Sequence, residues 1–260
     1  MRSRIWRTPP GRTTNRRSRA VQDHIVIDRR FRGPPDSGNG GYSCGTLAIL
    51  IDGAAEVTLR LPPPLDTPLA IEKQDGDAIV ATHDGKIVIE ARPTTVDAVV
   101  PPSVSLADAE KAASNYEGFE NHAFPACFVC GPERPEGDGL RIFPGAFGTD
   151  GACAAPWIPP ASVADADGMV RPEVVWAALD CPTGWATYYA APDGDLALLG
   201  RLTARILLPV EAETTYVCAA WAAGSEGRKH FATGAVLSPE GTIHAVSHAV
   251  WVELKGDRRS

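Results

Sequence analysis

One carboxylate stands alone in an apolar stretch. Asp180 is the only Asp, Glu, Lys, Arg or His between Val174 and Pro192. An ionised carboxylate in apolar surroundings is costly without partners. As chemistry, it could activate water as a general base or attack a carbonyl directly. As structure, it could bond Thr183 or a backbone N–H freed near Pro182. A second feature lies far away in the chain, where Asn39-Gly40-Gly41-Tyr42 precedes an uncharged run. The first N–H groups of a helix have no partner inside it, and the helix dipole favours negative charge there. The amides of Gly40, Gly41 and Tyr42 could therefore hold an oxygen that develops charge. Glycine would let a ligand approach the backbone. The plainer reading is a turn that redirects the chain, with Asp36 or Asn39 capping the helix.

Other reactive side chains are weaker candidates. Cys127 and Cys130 form a single Cys-x-x-Cys, and zinc needs more ligands. Cys153, His122 and Cys181 could supply them but show no standard spacing, so no metal or cofactor is expected. A redox role lacks a βαβ context. The pair reads as a turn carrying two semi-buried thiols. His244 and His248 share one face of a strand by period two and read as ordinary sheet histidines. Ser43 and Cys44 have no histidine tied to them by any motif. Trp176, Trp185, Tyr188 and Tyr189 read as core or pocket-wall aromatics. GNGGYSCG has glycines but neither lysine nor spacing for phosphates, and no Walker loop, dinucleotide fingerprint or His-Glu-x-x-His occurs.

The elements that must position these residues come in the same order twice. HIVIDRRF (24–31) is β-like. GPPDSGNGG is a loop, and YSCGTLAILI (42–51), ten residues without a charge, reads as a buried helix. Strand candidates follow at 55–61, 68–74, 77–83 and 86–92. Asp75-Gly76 and Asp84-Gly85 suit tight hairpins that need positive φ. Residues 93–120 look like a linker with a polar helix at 105–116 that Ser105 can cap. In the second half, 139–145 and 152–158 read as strands. One long helix is expected over 171–190, with Pro172 near its first turn. Four longer strands follow, from 196 to 254. A Leu-Pro pair ends the first strand after each helix (Leu61-Pro62, Leu208-Pro209). Matching order at half the chain length argues for internal duplication. A helix with almost no charge must be covered on most faces, which demands a curved sheet wrapped around it.

Composition bounds the partners. The 260 residues carry a net charge of −7, yet residues 1–32 hold ten Arg against two Asp, so the remainder is strongly acidic. An acidic body repels nucleic acid. The basic segment (1–21) reads as a disordered tail. No apolar run is long enough to span a bilayer. Six Cys without a secretory leader suggest thiols and a reducing, cytoplasmic setting.

Three passages resemble the hotdog-fold superfamily in its double form, and its acyl-CoA thioesterase-like members in particular. Asn39-Gly40-Gly41 stands where thioesterases of the phenylacetate-pathway type have His-Gly-Gly. Trp176-Ala-Ala-Leu-Asp180 resembles their apolar run that ends in a carboxylate. Cys127-Phe-Val-Cys130-Gly-Pro followed by Gly139-Leu-Arg-Ile resembles a Cys-x-x-Cys-Gly…Gly-Leu stretch found in many of them. The resemblance covers residues 22–254. It implies an α+β chain of two tandem hotdogs, each a long buried helix wrapped by a curved antiparallel sheet, over 22–100 and 121–255 with a 101–120 linker. It also implies acyl thioester substrates bound between the halves, and it is compatible with a homo-oligomer of double units.

On that resemblance the expected activity is acyl-CoA hydrolysis at a composite site. Asp180 would be catalytic, with the Gly41 and Tyr42 amides on the thioester oxygen. Asn39, Gly40, Trp176 and Thr183 would contact substrate. CoA belongs to the substrate and is no cofactor. Counting nine residues from Asn39 lands on Ala48, while nine from Arg171 lands on Asp180. The first half thus has glycines without the acid, and the second has the acid behind Arg171-Pro172-Glu173, which predicts one working site and one dead one. A non-catalytic acyl-CoA-binding module is the rival reading. An enoyl-CoA hydratase or dehydratase is a further one, weakened because no histidine lies near Gly40 or Asp180 in sequence.

Overall fold

Two apolar helices lie against one long sheet. The computed structural model describes residues 23–96, 104–148 and 151–258. The basic tail expected over 1–21 lies outside the described residues. In the first half, β1 (His24–Val26) leads through a short turn to α1 (Gly40–Ala48). Then come β2 (Ala55–Leu59), β3 (Pro68–Lys73), β4 (Ile79–His83) and β5 (Lys86–Pro93). The β4–β5 hairpin turns through Asp84 and Gly85 at φ 48° and 71°, the pair of positive φ values its Asp-Gly requires.

The second half holds α2 (Leu106–Ala113), β6 (Gly145–Ala146), β7 (Ala152–Trp157), α3 (Pro172–Ala178) and α4 (Asp180–Ala190). The long strands β8 (Asp195–Ile206), β9 (Tyr216–Glu226), β10 (Lys229–Leu237) and β11 (Ile243–Arg258) complete it. Among the described residues the strands form one antiparallel sheet in the order β1-β3-β4-β5-β2-β8-β11-β10-β9-β7-β6. The halves meet where β2 pairs with β8, Ala55 opposite Ala204 through Thr58 opposite Arg201.

Three expectations change. Residues 139–144 are not a strand: only Gly145 and Ala146 pair, with β7. The stretch before them is instead fastened to the Cys-x-x-Cys turn, by Leu140 N–H to Phe128 O (2.8 Å) and Ile142 N–H to Val129 O (3.0 Å). The single helix expected at 171–190 is two, broken at Leu179. Pro182 has no N–H to offer the Ala178 carbonyl, and its ring crowds that turn. The polar helix, α2, is capped by Ser105, which accepts from the Asp108 N–H. It does more than link, because Ala109 and Ala112 bury against Ala154, Val217 and Ala219 of the sheet. The other face of the same strands carries Cys153 and Ala220, packed with Ala186 of α4. Where both faces are covered, at 152–155 of β7, 217–220 of β9 and 234–237 of β10, the residues are apolar and mostly small.

Helices α1 and α3 cross closely because of two glycines. A Cβ on Gly41 would sit 2.6 Å from the Trp176 carbonyl oxygen. One on Gly45 would sit 2.6 Å from Glu173 Cα. The spacing of four puts both glycines on one helix face. The two helix starts match in backbone as the duplication predicts: Asn39 (φ −55°, ψ 133°) and Arg171 (φ −58°, ψ 136°) are the two N-caps.

Candidate active site

The crossing of α1 over the α3–α4 break brings Asp180 to the start of α1. Asp180 is the first residue of α4 and is 2% exposed. Its Oδ2 accepts from the Asn39 side-chain amide (2.9 Å) and from the Gly41 N–H (2.8 Å). Its Oδ1 is buried and has no hydrogen-bond partner. Burial pushes its carboxyl up to about 7, while the two donors oppose that rise. Asn39 has two jobs. Its Oδ1 accepts from the Tyr42 N–H (2.9 Å) as a helix cap, and its amide faces Asp180 and two thiols.

A cavity of about 800 Å³ opens beside this cluster. Gly38, Asn39, Gly40 and Leu59 line it from the first half, and Asp180, Cys181, Trp185, Leu199 and Trp251 from the second. His122, Cys127 and Cys130 also line it, and Arg60 and Arg228 stand among its lining residues. The walls are mostly apolar, as in a site for a substrate with a hydrocarbon part.

The remaining candidates settle in different places. Gly41 and Tyr42 do not line the cavity, and their amides are engaged, with Asp180 Oδ2 and Asn39 Oδ1 respectively. In this state neither can hold a thioester oxygen, contrary to the expectation. Gly41 is glycine because α3 passes against it, not to admit a ligand. Gly40 does line the cavity, and as the first helical residue its N–H has no partner inside α1. Trp176 is a core residue of α3 against Gly45 and is absent from the cavity wall. Thr183 is fully buried; its hydroxyl donates to the Asp180 carbonyl oxygen (2.6 Å) and accepts from Trp251 Nε1 (2.9 Å). It positions the Asp180 backbone and does not touch the carboxylate or the cavity.

Two groups that the sequence offered only as conceivable metal ligands, without standard spacing, reach the site. His122 reaches the cavity although it is distant in sequence from Gly40 and Asp180. Its Nδ1 accepts from the Phe124 N–H (2.9 Å), so the neutral ring carries its proton on Nε2, which faces Cys130 Sγ at 3.2 Å. Burial holds His122 below its usual range. Both ring nitrogens are thus occupied, and no Asp180–His122 pair forms, which weighs against a hydratase dyad. The second is Cys181, whose Sγ lies 3.7 Å from Cys127 Sγ. Cys127 and Cys130 are fully buried, not semi-buried, at 4% and 3% exposure. Gly131 makes their turn: a Cβ there would meet Cys127 N and Pro125 O at 2.5 Å. Arg134 anchors the same loop through Asp138 (2.6 Å), the Ala126 carbonyl (2.8 Å) and the Arg30 carbonyl (2.6 Å).

No family model matches this chain. No curated protein matches it either. Solved structures do. A hot dog fold protein of unknown function from Alicyclobacillus acidocaldarius is 14% identical, with a TM-score of 0.59 over 89% of this chain and 92% of its own. A tesB protein of Mycobacterium avium subs paratuberculosis is 11% identical, with a TM-score of 0.54 over 91% of this chain and 90% of its own. Acyl-CoA thioesterase II TesB2 of Mycobacterium marinum is 7% identical, with a TM-score of 0.52 over 78% and 80%. The chain therefore shares the hotdog fold of these proteins along most of its length.

Proposed function

We propose that this protein hydrolyses acyl-CoA thioesters in the cavity between its two halves, residues 22–100 and 121–255. The observation that carries the reading is the meeting of Asp180 with Asn39 and Gly41, across 141 and 139 residues of chain, at the wall of an apolar cavity. Oδ2 is fixed by two donors, which leaves Oδ1 to act. Oδ1 takes a proton from a water molecule, whose oxygen adds to the thioester carbonyl carbon. The Gly40 N–H at the helix start takes the place first assigned to Gly41 and Tyr42, as donor to the carbonyl oxygen. Collapse of the tetrahedral intermediate expels the CoA thiolate, which picks up the proton. The acyl chain would lie along Leu59, Leu199 and Trp251, and Arg60 and Arg228 would meet the phosphates of CoA.

Engagement of the Gly41 and Tyr42 amides by protein groups favours a second reading, an acyl-CoA-binding protein without turnover. A panel of acyl-CoA esters followed by free-thiol detection separates the two. Thiol release that depends on enzyme and vanishes in Asp180→Asn supports hydrolysis. Tight binding by calorimetry with no thiol release supports the binding module.

A further inference from the structure

We propose that Cys127, Cys130 and Cys181 form a site for a thiophilic divalent ion, zinc by chemical class, with a fourth coordination position open to the cavity. The three Sγ atoms lie within 4.8 Å of one another, and all three residues are buried. Cys181 stands 51 residues beyond Cys130 and is delivered by the first turn of α4. The Cys127–Cys181 separation of 3.7 Å is far beyond a disulfide bond. It matches the edge of a tetrahedron of sulfurs about 2.3 Å from a central zinc, which is roughly 3.8 Å.

The surroundings are built for thiolates. Asn39 directs its amide at Cys181 Sγ (3.7 Å) and Cys127 Sγ (3.9 Å). His122 presents Nε2–H to Cys130 Sγ (3.2 Å), its tautomer fixed by the Phe124 N–H on Nδ1. Cys130 thus has its own N–H donor, and Cys127 and Cys181 share what remains of the Asn39 amide, an outer-shell pattern of the kind that supports metal-bound ligands. Three thiolates in an apolar interior need a cation to offset their charge. Thiolate sulfur selects zinc over hard ions such as magnesium. His122 is an outer donor and not a ligand, because its Nε2 carries the proton. Cys153 is excluded, since its Sγ bonds the Pro182 carbonyl (3.1 Å) elsewhere. All three cysteines and Asp180 line the same cavity. Three protein ligands with one open position define a site that can bind an exogenous ligand. The inference stands on the thiol cluster and does not require acyl-CoA hydrolysis.

The test uses full-length protein, stripped with chelator under reductant and titrated with cobalt(II). The expected result is one equivalent per chain, with thiolate-to-cobalt charge-transfer absorption in the near ultraviolet and tetrahedral visible bands, all displaced by zinc. Cys181→Ser and Cys130→Ser should lose the charge-transfer signal. His122→Gln should weaken cobalt binding about 10- to 100-fold, and Cys153→Ser, outside the cluster, should bind as wild type. Circular dichroism on each variant separates lost binding from lost folding. Wild-type protein that is folded and reduced yet gives no charge-transfer band overturns the site. So does a folded Cys181→Ser that binds cobalt as wild type, or a Cys127–Cys181 disulfide that persists under reductant.

Discussion

Asp180 is a buried carboxylate at the cavity wall, with one oxygen tied down and one unpartnered. Removing the base while keeping the shape is the sharpest test of its role. Asp180→Asn should lower hydrolysis about 100- to 10,000-fold with little change in acyl-CoA affinity; equal rates for the two proteins would make Asp180 structural. Asn39 joins capping to orientation, so Asn39→Ala should cost about 1 kcal/mol of stability from the lost cap. It should also slow turnover, since Asp180 loses one of its two donors. Thermal unfolding and steady-state rates read the two effects separately. At the cavity mouth, changing Arg60 and Arg228 together to Ala should raise KM about five- to tenfold and leave kcat near wild type, as expected for exposed charges that meet phosphate. A drop confined to kcat would remove the arginines from substrate binding.

At the scale of elements, the site depends on two local devices. Gly41 and Gly45 let α1 and α3 touch backbone to backbone, so Gly41→Ala forces the helices apart. The expected cost is about 1–3 kcal/mol, read as a lower thermal midpoint, with activity lost alongside. The other device is the break at Leu179, which turns Asp180 into the first residue of a new helix. Pro182→Ala gives the Ala178 carbonyl a donor again and allows α3 and α4 to straighten. The fold should survive with an unchanged or higher midpoint. The rate should fall about 10- to 100-fold as Asp180 drifts from Asn39 and Gly41. Full activity in this variant would mean that the break is incidental.

On the scale of the whole molecule, the halves are joined by the β2–β8 seam and by the contact of Asp180 with α1. Neither half alone, as residues 1–120 or 121–260, should release thiol from acyl-CoA, because each would lack part of the cluster and expose a strand edge. Among the described residues Asp180 is the acid that meets the start of α1, and Ala48 stands at the equivalent place in the first half. A non-hydrolysable acyl-CoA analogue should therefore bind at one equivalent per chain. Calorimetry that finds two equal, independent sites would contradict this asymmetry.

The amino-acid sequence determined most of the strands, the apolar helical stretches, the Asp84-Gly85 hairpin and the isolation of Asp180, because each depends on neighbours within a few residues; Asp75-Gly76 instead sits in a longer 3-10 turn between β3 and β4. The periodicity of apolar side chains, the φ demanded by a turn and the desolvation of a lone carboxylate are local properties. The tertiary structure alone decided which amides were free. Whether Gly40, Gly41 or Tyr42 keeps an open N–H depends on where Asp180 and the Asn39 side chain lie, and Asp180 comes from 138 residues or more along the chain. It alone gathered Cys181 and His122 around the Cys-x-x-Cys turn, since no spacing rule links them. It also moved Trp176 and Thr183 off the cavity wall. A helix pattern fixes which residues share a face, but the crossing with a second helix decides what that face meets.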